Sequence, residues 1–175
     1  MEGLIGVGVG VLVLGLQGVQ AEPGGGRRAE EGAFLVRLRQ SRDGFLVSQA
    51  VRGAHRRLAD PGCQAVFSDF TDSSGRTLQD VLDERGETGQ SHLQRLFFYD
   101  GAEARGCGAP GVLAFTQPGS QVVYVCNRWF REAFAANPSK VEAVIIHESL
   151  HSLGLGENPP RSEDITARVM QRCVF

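Results

Sequence analysis

The chain has 175 residues, of which 42% are hydrophobic, and its formal net charge is −2. This length accommodates one globular domain with a sizeable core. The nearly balanced charge argues against a nucleic-acid binder and the apolar content against a disordered chain, so composition leaves a folded protein of unspecified activity.

The amino terminus has the pattern of an export signal. Residues 3–19 contain one polar side chain, Gln17, and small residues stand at the usual cleavage spacing up to Ala21. The apolar run is short for a membrane span and rich in glycine. We therefore predict a signal peptide over residues 1–21, a flexible leader over 22–32, and a secreted or periplasmic mature protein without a stable membrane span.

Apolar spacing defines the first elements of the single domain that we predict over residues 33–175. Alternating apolar and basic residues predict a half-buried strand over 34–38. Apolar residues recur every fourth position over 46–58, which is typical of an amphipathic helix. We expect a short strand at 65–67 and a helix over 77–85 that ends at a glycine.

The second half contains a hairpin signal followed by helices. Residues 96–99 form a compact apolar strand candidate. Two further strand candidates, 112–116 and 122–126, flank the turn sequence Gln-Pro-Gly-Ser, which predicts a β-hairpin. A short helix is expected over 129–136, before an Asn-Pro pair that ends it.

The next helix carries the residues with chemical potential. Ser139 is the expected N-cap, with Glu142 as its capping-box partner. Apolar residues lie on several sides of this helix, so we expect it to be buried at the centre of an α+β domain with a small twisted sheet, mainly antiparallel or mixed. Polar side chains in such a helix are costly to bury unless something pairs with them.

Those polar side chains form a His-Glu-x-x-His motif. His147 and His151 are one helical turn apart on the same face, so both imidazoles can reach one metal ion. Glu148 stands beside them, where a carboxylate can act as a general base. Gly154 can end the helix with a positive φ and return the chain towards the metal, which would bring Glu157 in as the third ligand. Acidic residues at the start of the last helix remain the alternative third ligand, namely Glu163 or Asp164.

The motif resembles the metzincin signature of zincin-type zinc metallopeptidases, His-Glu-x-x-His-x-x-Gly-x-x-His. The chain matches it over about eleven residues, with Glu157 in place of the third histidine. The resemblance implies a Zn²⁺ cofactor, a peptide or protein substrate and a zincin-like fold, in which a twisted sheet packs on the active-site helix. It also implies that an edge strand, 112–116 or 122–125, lies along the bound peptide.

One metzincin feature lacks a counterpart. Those enzymes place a methionine in a tight turn beneath the metal, and Met170 is the one methionine after the motif. Helical spacing of Ile165, Val169 and Cys173 places Met170 on a terminal helix instead, where we expect ordinary packing.

The cysteines point to disulfides. Cys63, Cys107, Cys126 and Cys173 are even in number, widely spaced and follow the predicted export signal. Three pairings are open. We favour Cys107–Cys126 between neighbouring strands and Cys63–Cys173 tying the last helix to the body, with buried free thiols as the alternative.

The predicted chemistry is zinc-assisted peptide hydrolysis, with Glu148 accepting the proton of the attacking water. A further donor to the oxyanion is needed. The candidates, which the sequence does not separate, are Tyr99, Tyr124, His92 and Arg128. Two rival interpretations remain: a zinc-containing binding module without turnover, and a metal-free disulfide-stapled envelope protein.

Overall fold

The computed structural model describes residues 33–173. Within this range four strands and seven α-helices follow one another. In chain order they are β1 Leu35–Arg37, α1 Ser41–Arg57, α2 Pro61–Gln64, α3 Leu78–Arg85, α4 Gly89–Gln94, β2 Phe97–Asp100, β3 Ala114–Thr116, β4 Val122–Val125, α5 Asn127–Ala136, α6 Pro138–Ser152 and α7 Ser162–Arg172. The predicted α+β class is confirmed.

The strands form one mixed sheet in the order β1-β2-β4-β3. β1 pairs with β2, and β2 with β4, in parallel, whereas β3 is antiparallel to β4. The expectation of a mainly antiparallel sheet is therefore wrong, while the mixed alternative is confirmed. Parallel neighbours need a long crossover. Helices α1–α4 provide it between β1 and β2, whereas the 3₁₀ helix Arg105–Gly108 and the edge strand β3 lie between β2 and β4.

The predicted hairpin is present and leaves β3 at the edge of the sheet. Ala114 pairs with Val125, and Thr116 with Val123. The turn that joins the two strands contains Gly119 at φ 79°, a left-handed conformation in which a side chain would be strained. β4 is an inner strand, so only β3 offers free backbone groups on this side of the sheet.

Side chains alternate between the two faces of the sheet, as pleated strands require. Phe98 and Val123 are fully buried against the helices. Their chain neighbours Tyr99 and Tyr124 are 40% and 37% exposed on the opposite face. The apolar positions of the first predicted strand, such as Val36, pack against the core as expected.

The core is built around α1 and α6. Ala50, Ala54 and Leu58, which set the predicted four-residue spacing, are all fully buried. A Cβ atom at Gly53 would come within 2.1 Å of the Glu142 side chain, so the glycine allows α1 to approach α6 closely. This approach positions the motif-bearing helix against the longest helix of the domain.

Several local predictions are wrong. Residues 65–67 belong to a 3₁₀ helix, Ala65–Ser68, and not to a strand. The N-cap of α6 is Asn137, which accepts a hydrogen bond from the backbone of Lys140, and Ser139 lies inside the helix. Glu142 is not a capping partner because it pairs with Arg57 at 2.6 Å. The prediction also missed α4, which begins with a capping box at Thr88.

Both favoured disulfides are present, Cys63–Cys173 and Cys107–Cys126. The first joins the end of α7 to α2, as expected. The second does not join two strands, because Cys107 lies in the 3₁₀ helix Arg105–Gly108. Disulfides are typical of oxidising compartments.

The described residues, 33–173, lie within one compact unit. Within the part of the chain that the structure describes, none of the helices is long and apolar enough to cross a membrane. The predicted signal peptide and leader, residues 1–32, lie outside the described residues.

Candidate metal centre

Two imidazoles of α6 converge as the motif spacing predicts. The Nε2 atoms of His147 and His151 are 2.9 Å apart, and the ring centroids are 4.7 Å apart. Both side chains are 4% exposed. The histidines therefore present two nitrogens to one buried point.

The tautomer of His151 follows from its partner. Its Nδ1 lies 2.8 Å from the carbonyl oxygen of Leu155. Because a carbonyl oxygen only accepts, Nδ1 carries the hydrogen, and Nε2 of the neutral ring presents a lone pair to the point it shares with His147. Two such lone pairs facing each other are unfavourable unless a proton or cation lies between them.

The chain turns back towards the histidines after α6. Gly154 has φ 114°, and its N–H donates to the carbonyl of His151 at 2.9 Å. The N–H of Gly119, in the hairpin turn, donates to the same carbonyl at 2.9 Å. These contacts fix the helix end against the sheet and direct the following loop towards the metal motif.

The loop places Glu157 beside both rings. Its Oε1 is 3.4 Å from Nε2 of His151 and 3.7 Å from Nε2 of His147. Donor atoms around a tetrahedral zinc ion lie about 3.3 Å apart, as follows from bonds of about 2.0–2.1 Å. His147, His151 and Glu157 therefore form a cluster that could hold a metal ion.

The alternative third ligands lie elsewhere. Asp164 pairs with Arg161 at 2.8 Å, and both side chains are largely exposed. Glu163 is exposed in the first turn of α7. Ser162 is the first residue of α7, and Arg161 holds the N-cap position without a side-chain cap bond. The geometry thus favours Glu157.

Burial keeps the first imidazole neutral. Loss of solvent, and next the neighbouring His151, lower the pKa of His147 from 6.5 to about 3. A neutral ring retains a lone pair for a metal at any pH well above that value.

Glu148 points into the protein beside the cluster. The residue is 4% exposed, and its Oε2 atom has no hydrogen-bond partner among the described residues. Burial, and next the charge of Glu157, raise the pKa of Glu148 to about 8, while a backbone hydrogen bond from Thr116 in β3 opposes the rise. A buried carboxyl group with an unpaired oxygen is costly unless a ligand, water or ion completes it.

The four candidate oxyanion donors have other contacts. His92 is fully buried, with Nε2 2.7 Å from Oγ of Ser152 and Nδ1 3.0 Å from Oε2 of Glu87. Loss of solvent lowers the pKa of His92, whereas Glu87 opposes this effect. The network supports the end of α6 from within the core, and sequence spacing gave no sign of it. Tyr99 and Tyr124 lie on the exposed face of the sheet. Arg128 forms an exposed ion pair with Glu132.

Met170 lies on α7, as predicted, rather than in a turn beneath the ligands. The residue is 40% exposed.

Space is present beside the ligand loop. A cavity of about 560 Å³ is lined by Leu155 and Gly156, by Pro159 and Pro160, and by residues 69–73. The loop that carries Glu157 therefore forms one wall of an open depression.

Comparison with known proteins finds no matching family model, no matching curated sequence and no matching solved structure.

Proposed function

We propose that this protein is a zinc-dependent hydrolase that cleaves peptide bonds. The observation that carries the proposal is the convergence of two imidazole nitrogens and one carboxylate oxygen beside a buried, incompletely bonded glutamate. Three protein ligands, with a further position open, are typical of catalytic zinc sites rather than structural ones.

The donor set supports zinc over harder cations. Nitrogen donors suit zinc, whereas magnesium and calcium prefer oxygen ligands throughout. His147 and His151 supply two nitrogens and Glu157 one oxygen. Zinc bound there would polarise a substrate carbonyl and lower the pKa of water towards neutrality.

Glu148 has the position of the general base. The charge of Glu157 acts on its carboxyl group, so Glu148 lies near the metal ligands without belonging to their cluster. It accepts the proton of the attacking water and returns it to the leaving amine. The hydrogen bond from Thr116 orients the group while leaving Oε2 for the water.

The edge strand supports a peptide substrate. The N–H of Cys126 donates to the carbonyl of Leu113 at 2.9 Å, so the alternating backbone groups of Ala114 and Thr116 face away from β4. The same strand contacts Glu148 through Thr116. An extended peptide that pairs with β3 would thus pass the general base. Of the two strands considered from the sequence, β3 is the one at an edge.

We further propose that the protein acts outside the cytoplasm. The apolar amino-terminal segment and the two disulfides support export.

Hydrolysis of a quenched-fluorescent peptide library tests the proposal. Zinc-loaded wild type should cleave members of the library, and Glu148→Gln should lose cleavage while retaining one equivalent of zinc. Glu132→Gln, which removes an exposed carboxylate from α5, is the matched control. If the wild type takes up zinc but cleaves no peptide, the result would favour a zinc-containing binding module and contradict the proposed peptide hydrolysis.

A further inference from the structure

The two histidines of the candidate metal centre are held by different kinds of partner. Nδ1 of His151 is fixed by a backbone carbonyl four residues away. Nδ1 of His147 lies 2.9 Å from Oγ1 of Thr166, which stands on α7 and is 19 residues away in sequence. The orientation of the His151 ring therefore depends on the loop that follows α6, whereas that of the His147 ring depends on a side chain of α7.

The direction of the second hydrogen bond follows from the chemistry of imidazole. When Nε2 of His147 is a metal ligand, the hydrogen of the neutral ring is on Nδ1 and is donated to the hydroxyl oxygen of Thr166. This bond selects the ring orientation in which Nε2 faces His151 and Glu157. Without the hydroxyl, the buried Nδ1–H of His147 would have no hydrogen-bond acceptor, and the metal-binding ring orientation would no longer be favoured over other orientations.

Helix α7 holds the hydroxyl firmly in place. Ile165 and Val169 flank Thr166 and are fully buried. At the end of the helix Arg172 pairs with Asp69 at 2.6 Å, and Cys173 is joined to Cys63. These anchors are independent of the metal ligands.

We infer that Thr166 is a positioning residue of the metal centre, and that the docking of α7 thereby contributes to zinc affinity. The inference rests on the proposed zinc site. It assigns Thr166 no contact with the metal or with a substrate.

Zinc affinity measured by competition with a chromophoric chelator tests the inference. Thr166→Val keeps the shape of the side chain and removes the hydroxyl, so it should weaken zinc binding by roughly 10–100-fold. Thr166→Ser keeps the hydroxyl and should stay within about threefold of wild type, a small change because the bond to the ring persists. Ser162→Ala, which removes another hydroxyl from α7, is the control and should bind as wild type does.

Two further measurements separate positioning from a general structural role. The rise in urea midpoint that zinc produces should be smaller for Thr166→Val than for Thr166→Ser, whereas a purely structural role would lower the midpoint equally with and without zinc. In the zinc-loaded protein, nitrogen-15 NMR should show a protected Nδ1–H on His147 in wild type and Thr166→Ser, and a rapidly exchanging one in Thr166→Val. Thr166→Ala repeats the comparison with a smaller side chain.

The outcomes separate the inference from the proposed function. Zinc binding by Thr166→Val that equals wild type would overturn the inference and leave the zinc site intact. Failure of the wild type to take up zinc would overturn both.

Discussion

Replacing Glu148 by glutamine should stabilise the metal-free protein at high pH. Burial, and next the charge of Glu157, raise the pKa of Glu148 from 4.5 to about 8. A carboxyl group with a raised folded-state pKa contributes stability that is fully present below its unfolded pKa and is lost as the pH rises through the folded value. The titration of Glu148 should therefore destabilise the wild type between pH 4.5 and pH 8, and glutamine removes this contribution because it does not ionise.

The size of the effect follows from the two pKa values. One pKa unit corresponds to about 1.4 kcal/mol. Integration gives a wild-type loss of about 0.8 kcal/mol at pH 5, about 3.3 kcal/mol at pH 7 and about 4.3 kcal/mol at pH 8, relative to the fully protonated protein. Relative to wild type, Glu148→Gln should thus gain about 2.5 kcal/mol between pH 5 and pH 7.

Urea unfolding in the presence of a chelator measures this difference. The titration of His147 is common to both proteins and cancels in the comparison. Glu132→Gln controls for the loss of one negative charge. Saturating zinc should reduce the wild-type slope, because a nearby cation favours the ionised carboxylate. Parallel curves for wild type and Glu148→Gln from pH 5 to pH 8 would show that the pKa of Glu148 is not raised by burial.

Three further predictions concern the supports of the site. Gly154→Ala should cost about 1–2 kcal/mol of unfolding free energy, because its φ is 114° and the added Cβ would lie 3.2 Å from the Asp72 side chain. Gly156→Ala is the control: its Cβ would meet no atom within 4 Å, so the substitution should cost less. Because the pKa of His147 is lowered from 6.5 to about 3, protonation of this ring should cost the metal-free fold about 2 kcal/mol between pH 7 and pH 5. The Glu148 titration has the opposite sign and is common to wild type and His147→Gln, so the cost should appear in urea unfolding as the difference between these two proteins. Replacing both cysteines of the Cys63–Cys173 disulfide, which spans 110 residues, with alanine should cost about 5 kcal/mol of unfolding free energy. The same change at Cys107–Cys126, which spans 19 residues, should cost about 3 kcal/mol, and urea unfolding measures both.

The sequence predicts the part of the site that depends on local spacing. His147 and His151 converge because residues four apart share a helix face, and Gly154 and Glu157 follow within a short loop whose turn the glycine permits. The hairpin was equally predictable, because its strands flank a strong turn signal.

Contacts between distant segments could not be predicted. The hydrogen bond of Thr166 to His147 and that of Thr116 to Glu148 depend on how α7 and β3 dock against α6. The parallel strand order rests on strands of three or four residues, too short to specify partners. Glu142 matches a capping box locally, but Arg57, 85 residues away, binds it instead.

X-ray absorption of the zinc-loaded protein shows directly whether His147, His151 and Glu157 bind zinc. We expect one zinc per chain at about 2.0–2.1 Å from imidazole nitrogens and carboxylate or water oxygens, with two histidine ligands. His151→Ala should lose one imidazole contribution and bind zinc more weakly, because it removes one of the three clustered donors. A protein that retains no zinc, or a zinc environment that His151→Ala leaves unchanged, would contradict a zinc site at these three residues.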